Sequence, residues 1–225
     1  MDVIIVGSGK LALELLEKLP VMTSGNRVMP WPAPAGLAPR HIVVHAGSGR
    51  ERDAVLAYCQ QTGSALVELS TGTPVGTGPS TFPIVECPNT NILMLKFMAM
   101  VASSGHLFKH YPIHITESHQ ADKSSTPGTA VQLANSLGVP LDAICSIRDV
   151  VTQQEQLQIP AEHSDRHAFH RIEIGDGDGL ITLETRVFGA APYADGVNQI
   201  ISAVAATSLE DRHYNILEFI ENGWL

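Results

Sequence analysis

The run Val3-Ile4-Ile5-Val6, followed at once by Gly7-Ser8-Gly9-Lys10-Leu11-Ala12, constrains this chain more than any other segment. Four consecutive β-branched apolar residues suit a strand buried on both faces, and such strands belong to parallel sheets covered by helices. Leu13-Glu14-Leu15-Leu16-Glu17-Lys18-Leu19 then has the spacing of an amphipathic helix. Strand, G-x-G-x-x-A and helix stand in the order that a dinucleotide-binding turn requires. Gly7 permits the tight turn, Gly9 lets a pyrophosphate approach the backbone, and Ala12 lets the helix pack close to the strand. Ser8, Lys10 and Leu11 complete the turn that would line the cofactor. A tight turn without any ligand is the plainer explanation of the same residues.

The alternation continues. A short strand is expected near Asn26–Met29, then a Pro-rich stretch, a strand over His41–His45 and a helix over Glu51–Gln61 that Gly63 ends. Strands over Ala65–Leu69 and Ile84–Glu86 and an apolar helix over 91–104 follow, a parallel, doubly wound pattern. Met94, Met98 and Met100 are expected in the core of that helix. The character then changes to longer strands over Ile113–Glu117, Asp142–Asp149, His167–Ile174 and Leu180–Phe188, the last two joined by the hairpin turn Gly175-Asp176-Gly177-Asp178-Gly179. This mixed sheet is expected to pack a helix over 129–137 and the helix after Pro192, and Tyr214–Ile220 reads as a short amphipathic helix. The fold class is therefore α/β, a Rossmann-type parallel sheet domain plus a C-terminal α+β mixed-sheet domain.

The second informative stretch is Glu117-Ser118-His119-Gln120-Ala121-Asp122-Lys123, closely followed by Thr126-Pro127-Gly128-Thr129-Ala130. An imidazole and an ammonium stand four residues apart, just before a helix start. Thr126 suits the N-cap and Pro127 the first helical position, while Gly138 and Pro140 mark the stop. First-turn amides such as those of Gly128 and Thr129 lack intrahelical partners and can receive a carboxylate. Proton donor, cation and anion cradle together describe a site for a small acidic substrate; a solvated polar loop is the bland alternative.

The 225 residues suffice for one large domain or two modest ones. The net charge of −9, with no basic cluster, argues against nucleic acid as a partner. No run approaches the roughly 18 apolar residues of a membrane span, and Met1 opens directly into the first strand, leaving no room for a signal peptide. Cys59, Cys87 and Cys145 are widely spaced and odd in number, which points to a reduced, cytoplasmic protein without a metal pattern. The histidines likewise fall at no persuasive metal-ligand spacing.

With these residues laid out, the chain resembles the dihydrodipicolinate reductase (4-hydroxy-tetrahydrodipicolinate reductase) family of lysine and diaminopimelate biosynthesis. Residues 7–12 sit where the family has G-x-x-G-x-M-G, His45-Ala46-Gly47 where it has Asp-Phe-Thr, and Leu69-Ser70-Thr71-Gly72 where it has Gly-Thr-Thr-Gly. Cys87-Pro88-Asn89-Thr90-Asn91 takes the place of Ala-Pro-Asn-Phe-Ser. Glu117–Lys123 matches E-x-H-H-x-x-K, and Pro127-Gly128-Thr129-Ala130 matches P-S-G-T-A.

The resemblance implies hydride transfer from NADPH or NADH to a conjugated cyclic imine bearing two carboxylates. It makes His119 the acid/base group and Lys123 the proton donor, with Gln120, Gly128 and Thr129 contacting substrate. Gly7, Ser8, Gly9, Lys10, Leu11, Ala12, Leu69, Ser70, Thr71, Cys87, Pro88, Asn89 and Thr90 would line the cofactor. It further implies a dinucleotide-binding domain of residues 1–90 and 205–225, a substrate-binding and oligomerisation domain of 91–204, and a homo-oligomer, a tetramer in the family. The alternative is a divergent member with another cyclic imine substrate, or one that binds a ligand or protein without efficient turnover. Three departures bear on this. Gln120 replaces a histidine, the serine before Gly128 is missing, and Leu69 replaces a glycine where a side chain would crowd the nicotinamide. No acidic residue follows the second strand, and Arg27 is the one phosphate contact at hand there.

Overall fold

All four side chains of β1 (Val3–Val6) are buried, as an interior parallel strand demands. The computed structural model describes residues 1–22, 27–34, 40–47, 49–70, 78–123, 127–176, 178–189 and 193–225. After β1 come α1 (Lys10–Met22), β2 (Val28–Pro30), β3 (Ile42–His45), α2 (Arg52–Thr62), β4 (Ala65–Glu68), β5 (Ile84–Glu86) and α3 (Ile92–Ser104). They are followed by β6 (Ile113–His119), α4 (Gly128–Leu137), β7 (Cys145–Ile147), α5 (Val150–Glu155), β8 (His167–Gly175) and β9 (Leu180–Phe188). The chain then runs through α6 (Tyr193–Ala206), β10 (His213–Asn215) and α7 (Ile216–Glu221). Two compact units result, Met1–Leu95 with Pro192–Leu225, and Lys96–Ala191.

The first unit holds a six-stranded sheet in the order β10-β5-β4-β3-β1-β2, parallel throughout. Alternate residues serve opposite faces. Val3, Ile5, Val44, Val67 and Val85 meet Ala12, Leu15 and Leu19 of α1 and Val197, Ile200, Ile201 and Val204 of α6. Ile4, Val6, Val43, Leu66 and Ile84 meet Val55 and Cys59 of α2. This is the expected Rossmann-type layer, and its strand order reverses at β1, which opens a crevice at the carboxyl ends of β1 and β3.

Helix α6 corrects the sequence-based expectation that it packs on the mixed sheet. Its apolar stripe is completed by the first unit, where each large side chain it buries is worth on the order of 1.5–3 kcal/mol. The boundary expected at 205 therefore lies near 192. The expected helix over Tyr214–Ile220 is also corrected. His213–Asn215 pairs as an edge strand with β5. The Asn215 side chain accepts from the α7 backbone while Glu218 reaches back to the Asn215 amide at 2.9 Å, so this capping box starts the helix only at Ile216. Met94 and Met98 are buried as expected, whereas Met100 is 49% exposed.

The second unit is a mixed sheet in the order β7-β6-β8-β9, with β6 and β7 parallel and the rest antiparallel. The β8–β9 hairpin closes with Gly175 opposite Leu180, and Gly177 of its turn lies outside the described residues. The strand expected over Asp142–Asp149 is much shorter. A 3₁₀ turn occupies Leu141–Ala143, only Cys145–Ile147 pairs with β6, and Asp149 caps α5 by accepting from the Thr152 amide at 2.8 Å. Helix α4 begins at Gly128 rather than Pro127, whose extended backbone (φ −64°, ψ 140°) makes it the flanking residue, while Thr126 lies outside the described residues. The helix ends where expected, at Gly138 with φ 70°. Among the described residues no helix is long and apolar enough to cross a membrane.

Gly196 of α6 lies against the carbonyl of Thr90, and a Cβ there would overlap that oxygen. Gly196→Ala should therefore lower stability by about 1–3 kcal/mol, the usual cost of overpacking, which urea unfolding followed by circular dichroism would measure.

Candidate active site

In the first unit the Gly7–Gly9 turn sits where the sheet reverses. Gly7 has φ +126°, and a Cβ on it would lie 2.8 Å from the Ala46 carbonyl oxygen, so only glycine fits between β1 and the segment leaving β3. Gly9 by contrast faces open space within 4 Å and directly precedes α1, as a turn that admits a phosphate must. Ser8 and Lys10 are exposed, Leu11 is half-buried, and Ala12 is fully buried against the core.

The other cofactor candidates lie at the ends of β4 and β5. Leu69 is only 7% exposed and belongs to the core cluster with Ile5 and Val44. Its side chain packs inward with them. The Ser70 amide donates to Glu68 Oε1 at 2.9 Å, and its hydroxyl accepts from Arg52 at 3.3 Å. Thr71 lies outside the described residues. Cys87 is buried and burial pushes its thiol well up, so it is inert toward nucleophilic chemistry. Its Sγ donates to the Asn89 carbonyl at 3.1 Å. Asn89 in turn accepts from the Asn91 amide at 2.9 Å, which shapes the entry to α3. Pro88 is exposed and Thr90 buried beneath Gly196.

Sequence reasoning missed a polar knot beside this turn. His45 Nδ1 donates to the Glu68 carboxylate, 2.8 Å from each oxygen, and Arg52 stands 3.8 Å from Oε2. Burial raises the Glu68 carboxyl, but hydrogen bonds from His45 and Ser70 outweigh it and hold the group below its ordinary value. The register that sets His45 beside Glu68 across β3 and β4 is a signal only once the strands are paired.

In the second unit β6 delivers Glu117 and His119 to one face, because strand residues two apart point the same way. His119 Nδ1 donates to Glu117 Oε2 at 2.7 Å. Arg148, just after β7, grips the same carboxylate, Nη2 to Oε1 at 2.6 Å and Nη1 to Oε2 at 3.2 Å. Burial of Glu117 raises its carboxyl, yet hydrogen bonds from His119, Arg148 and Ser146 more than reverse this and bring it down to about 2. The carboxylate can only accept, so His119 carries a proton on Nδ1. The period-two spacing of Glu117 and His119 could have been read from sequence; Arg148, about thirty residues on, could not.

The opposite face of β6 fixes the backbone of the same strand. Gln153 of α5 donates to the His119 carbonyl at 2.8 Å and to Ser118 Oγ at 3.0 Å. Ser118 Oγ donates in turn to His167 Nε2 at 3.0 Å, because His167 Nδ1 is directed at the carbonyls of His163 and Ser164. Burial lowers the His167 imidazole and keeps it neutral.

Gln120 and Lys123 form the turn after β6, with the Lys123 amide donating to the Gln120 carbonyl at 3.1 Å. Arg148 Nε donates to the Lys123 carbonyl at 2.9 Å. Gly128 at the start of α4 is exposed, with open space where a side chain would stand, and Thr129 is half-buried. The second unit thus gathers His119, Gln120 and Lys123 on one short segment that leads toward α4. Among the described residues no cluster of three His, Cys, Asp or Glu side chains could hold a metal.

No family model matches the chain. Over 126 residues it is 32% identical to 4-hydroxy-tetrahydrodipicolinate reductase 2, chloroplastic, of Arabidopsis thaliana, a match covering 52% of this chain and 36% of that one. Over 96 residues it is 35% identical to the probable 4-hydroxy-tetrahydrodipicolinate reductase 2, chloroplastic, of Oryza sativa subsp. japonica, covering 40% and 30%. The chain thus spans about a third of the length of the curated relatives it matches. In fold it is similar to a dipicolinate-bound dihydrodipicolinate reductase from Paenisporosarcina sp. TG-14, with TM-score 0.64, 15% identity, and 96% and 97% of the two chains covered. It is also similar to C. glutamicum DAP dehydrogenase in complex with DAP, with TM-score 0.54, 10% identity, and 97% and 93% covered.

The candidate site has an acid-labile neighbour. His170 of β8 lies opposite Glu117, its ring 5.6 Å from that of His119, with Nδ1 against Thr185 Oγ1 at 3.2 Å. Burial, and then the proximity of His119, lowers its imidazole from 6.5 to about 4. Between those values the unfolded chain binds a proton that the folded chain refuses, so stability is full above pH 6.5 and declines as the pH falls to about 4. Thermal midpoints measured across that window should fall in the wild type and fall less in His170→Phe.

Proposed function

Starting from a chain related to the dihydrodipicolinate reductases, we propose that it is a nicotinamide-dependent reductase of a small cyclic imine carboxylate, with His119 as acid/base group and Lys123 as proton donor. The observation that carries this reading is the 2.7 Å bond from His119 to the buried Glu117 carboxylate, which leaves the ring's Nε2 to meet a ligand on the same segment that carries Lys123. A reduced nicotinamide dinucleotide, its pyrophosphate held by the Gly7–Gly9 turn, would supply the hydride. As the C=N electrons move to nitrogen, Lys123 delivers the proton that nitrogen takes up. Gly128 and Thr129 hold a carboxylate through backbone N–H groups, which are already oriented and so cost no reorganisation at the moment of reaction.

The finer form of the reading takes 4-hydroxy-tetrahydrodipicolinate as substrate, in lysine and diaminopimelate biosynthesis, and NADPH or NADH as cofactor, in a cytoplasmic homo-oligomer. Its support is the coincidence of the curated relatives' names with the motif at Glu117–Lys123. The alternative reading, without efficient turnover, draws on Gln120, the shortened loop before Gly128 and Leu69, of which Leu69 packs inward with Ile5 and Val44.

Titration of the purified protein with NADPH and NADH, followed by energy transfer from Trp31 and Trp224, tests the cofactor. Both should bind, within about tenfold of each other or ~1.4 kcal/mol, because no acidic side chain follows β2 to select the ribose; failure of both would leave a ligand-binding protein instead. Lys123→Ala should lower kcat by roughly 10²–10⁴-fold with little loss of stability. Pyridine-2,6-dicarboxylate should bind weakly, and Gln120→His should strengthen it by about 1.5–3 kcal/mol, one charge-assisted hydrogen bond, in isothermal calorimetry.

A further inference from the structure

Arg148 is linked to both residues assigned to proton chemistry, to His119 through Glu117 and to Lys123 through its main chain. Its Nη atoms hold the two oxygens of Glu117, and through that carboxylate the ring of His119. Its Nε holds the backbone carbonyl of Lys123 at 2.9 Å, and Nη1 also donates to the Ile147 carbonyl at 2.9 Å. A planar guanidinium carries five N–H groups in a fixed fork, and these four bonds use nearly all of them. The imidazole and the segment bearing the ammonium are therefore referred to a single rigid group. Neither Glu117 nor a lysine in place of Arg148 could do this, the first because it does not reach Lys123, the second because an ammonium offers three donors and no plane.

We infer that Arg148 is a positioning residue for the reductase reaction: its fork sets the distance between His119 and Lys123 and, through Glu117, fixes His119 with Nε2 turned to the ligand. The inference rests on the reductase reading for its kinetic arm and on geometry alone for its spectroscopic one. The groups around His119 are consistent with it. Glu117 on β6 is ionised and paired. His170 on β8, neutral above a pH of about 4, places no charge against it, and His167 on the far side of β6 is likewise neutral. Lys123 is the nearest ammonium-bearing residue along the chain, and its main chain is tied to Arg148 through the Lys123 carbonyl.

Misplacing a reacting group by about 1 Å typically costs on the order of 10²-fold in rate. Arg148→Lys keeps the positive charge that Glu117 needs but removes the fork. It should lower kcat by about 10–100-fold while KM and the affinity for NADPH stay within about threefold, the signature of a contact that matters in the transition state and not in ground-state binding. In wild-type protein labelled at histidine nitrogen, the proton on Nδ1, the nitrogen that lies 2.7 Å from Glu117 Oε2, should appear as a downfield resonance, lost or broadened in Arg148→Lys.

An Arg148→Lys variant that is folded by circular dichroism, turns over at the wild-type rate and keeps the resonance overturns the inference. A variant that is less stable but kinetically normal assigns Arg148 a structural role only, and also overturns it. Should the wild type reduce no cyclic imine at all, the reductase reading fails by itself. The histidine spectrum then decides the clamp: loss of the resonance in Arg148→Lys upholds it, and persistence sinks it.

Discussion

A fully buried carboxylate, that of Glu117, organises the second unit. An isolated charge out of water is prohibitively costly, and this one persists because Arg148, His119 and Ser146 all donate to it. The consequences spread outward from that requirement. Arg148 must stand at the end of β7, so the short strand Cys145–Ile147 must pair with β6 in the register that sets Ser146 beside Glu117. The turn after β6 must bring the Lys123 carbonyl within reach of the same guanidinium. Remove the carboxylate and β7, the turn and the His119 ring lose their common reference. Removing one partner of such a buried pair typically costs about 3–5 kcal/mol.

The parts of this architecture that were legible in the sequence are those written in local patterns. Val3–Val6 before Gly7-Ser8-Gly9 announced an interior strand and its turn, Gly63 and Gly138 marked two helix ends, and alternation over 167–188 announced the hairpin. The illegible parts are those decided by tertiary partners. His213–Asn215 is helical in pattern and becomes a strand because the edge of β5 is open to it, while Asn215 stops α7 from extending backward. Helix α6 shows an apolar stripe that either sheet could have covered. At the site, His119 and Lys123 stood in the sequence, and the period of a strand hinted at Glu117. Arg148 and Gln153 could be found only after β6, β7 and α5 were in place.

The first unit departs from the resembled family in a way that residue matching alone misreads. Leu69 occupies a position where a glycine is the rule, yet its side chain joins Ile5 and Val44 in the core. Glu68 before it turns to His45 and Arg52 instead. The two changes belong together, since successive strand residues face opposite ways and the polar one can then meet the imidazole that stands where the family has an aspartate. The carboxyl ends of β3 and β4 are thus tied by a hydrogen-bonded His–Glu pair beside the turn proposed to hold the cofactor.

The contact between Gly196 and the Thr90 carbonyl has a temporal side. The segment 87–90 leaves the ribosome long before the helix that seats it, with the whole second unit between them. At a synthesis rate of 5–20 residues per second, the roughly 100 intervening residues take about 5–20 s. During that interval β5 is a bare sheet edge, waiting for β10. The nascent chain must hold an unfinished dinucleotide-type sheet while an independent unit emerges and folds. Its vulnerability to misassociation is therefore greatest while the second unit is being made, and it ends only when residues from beyond 192 return.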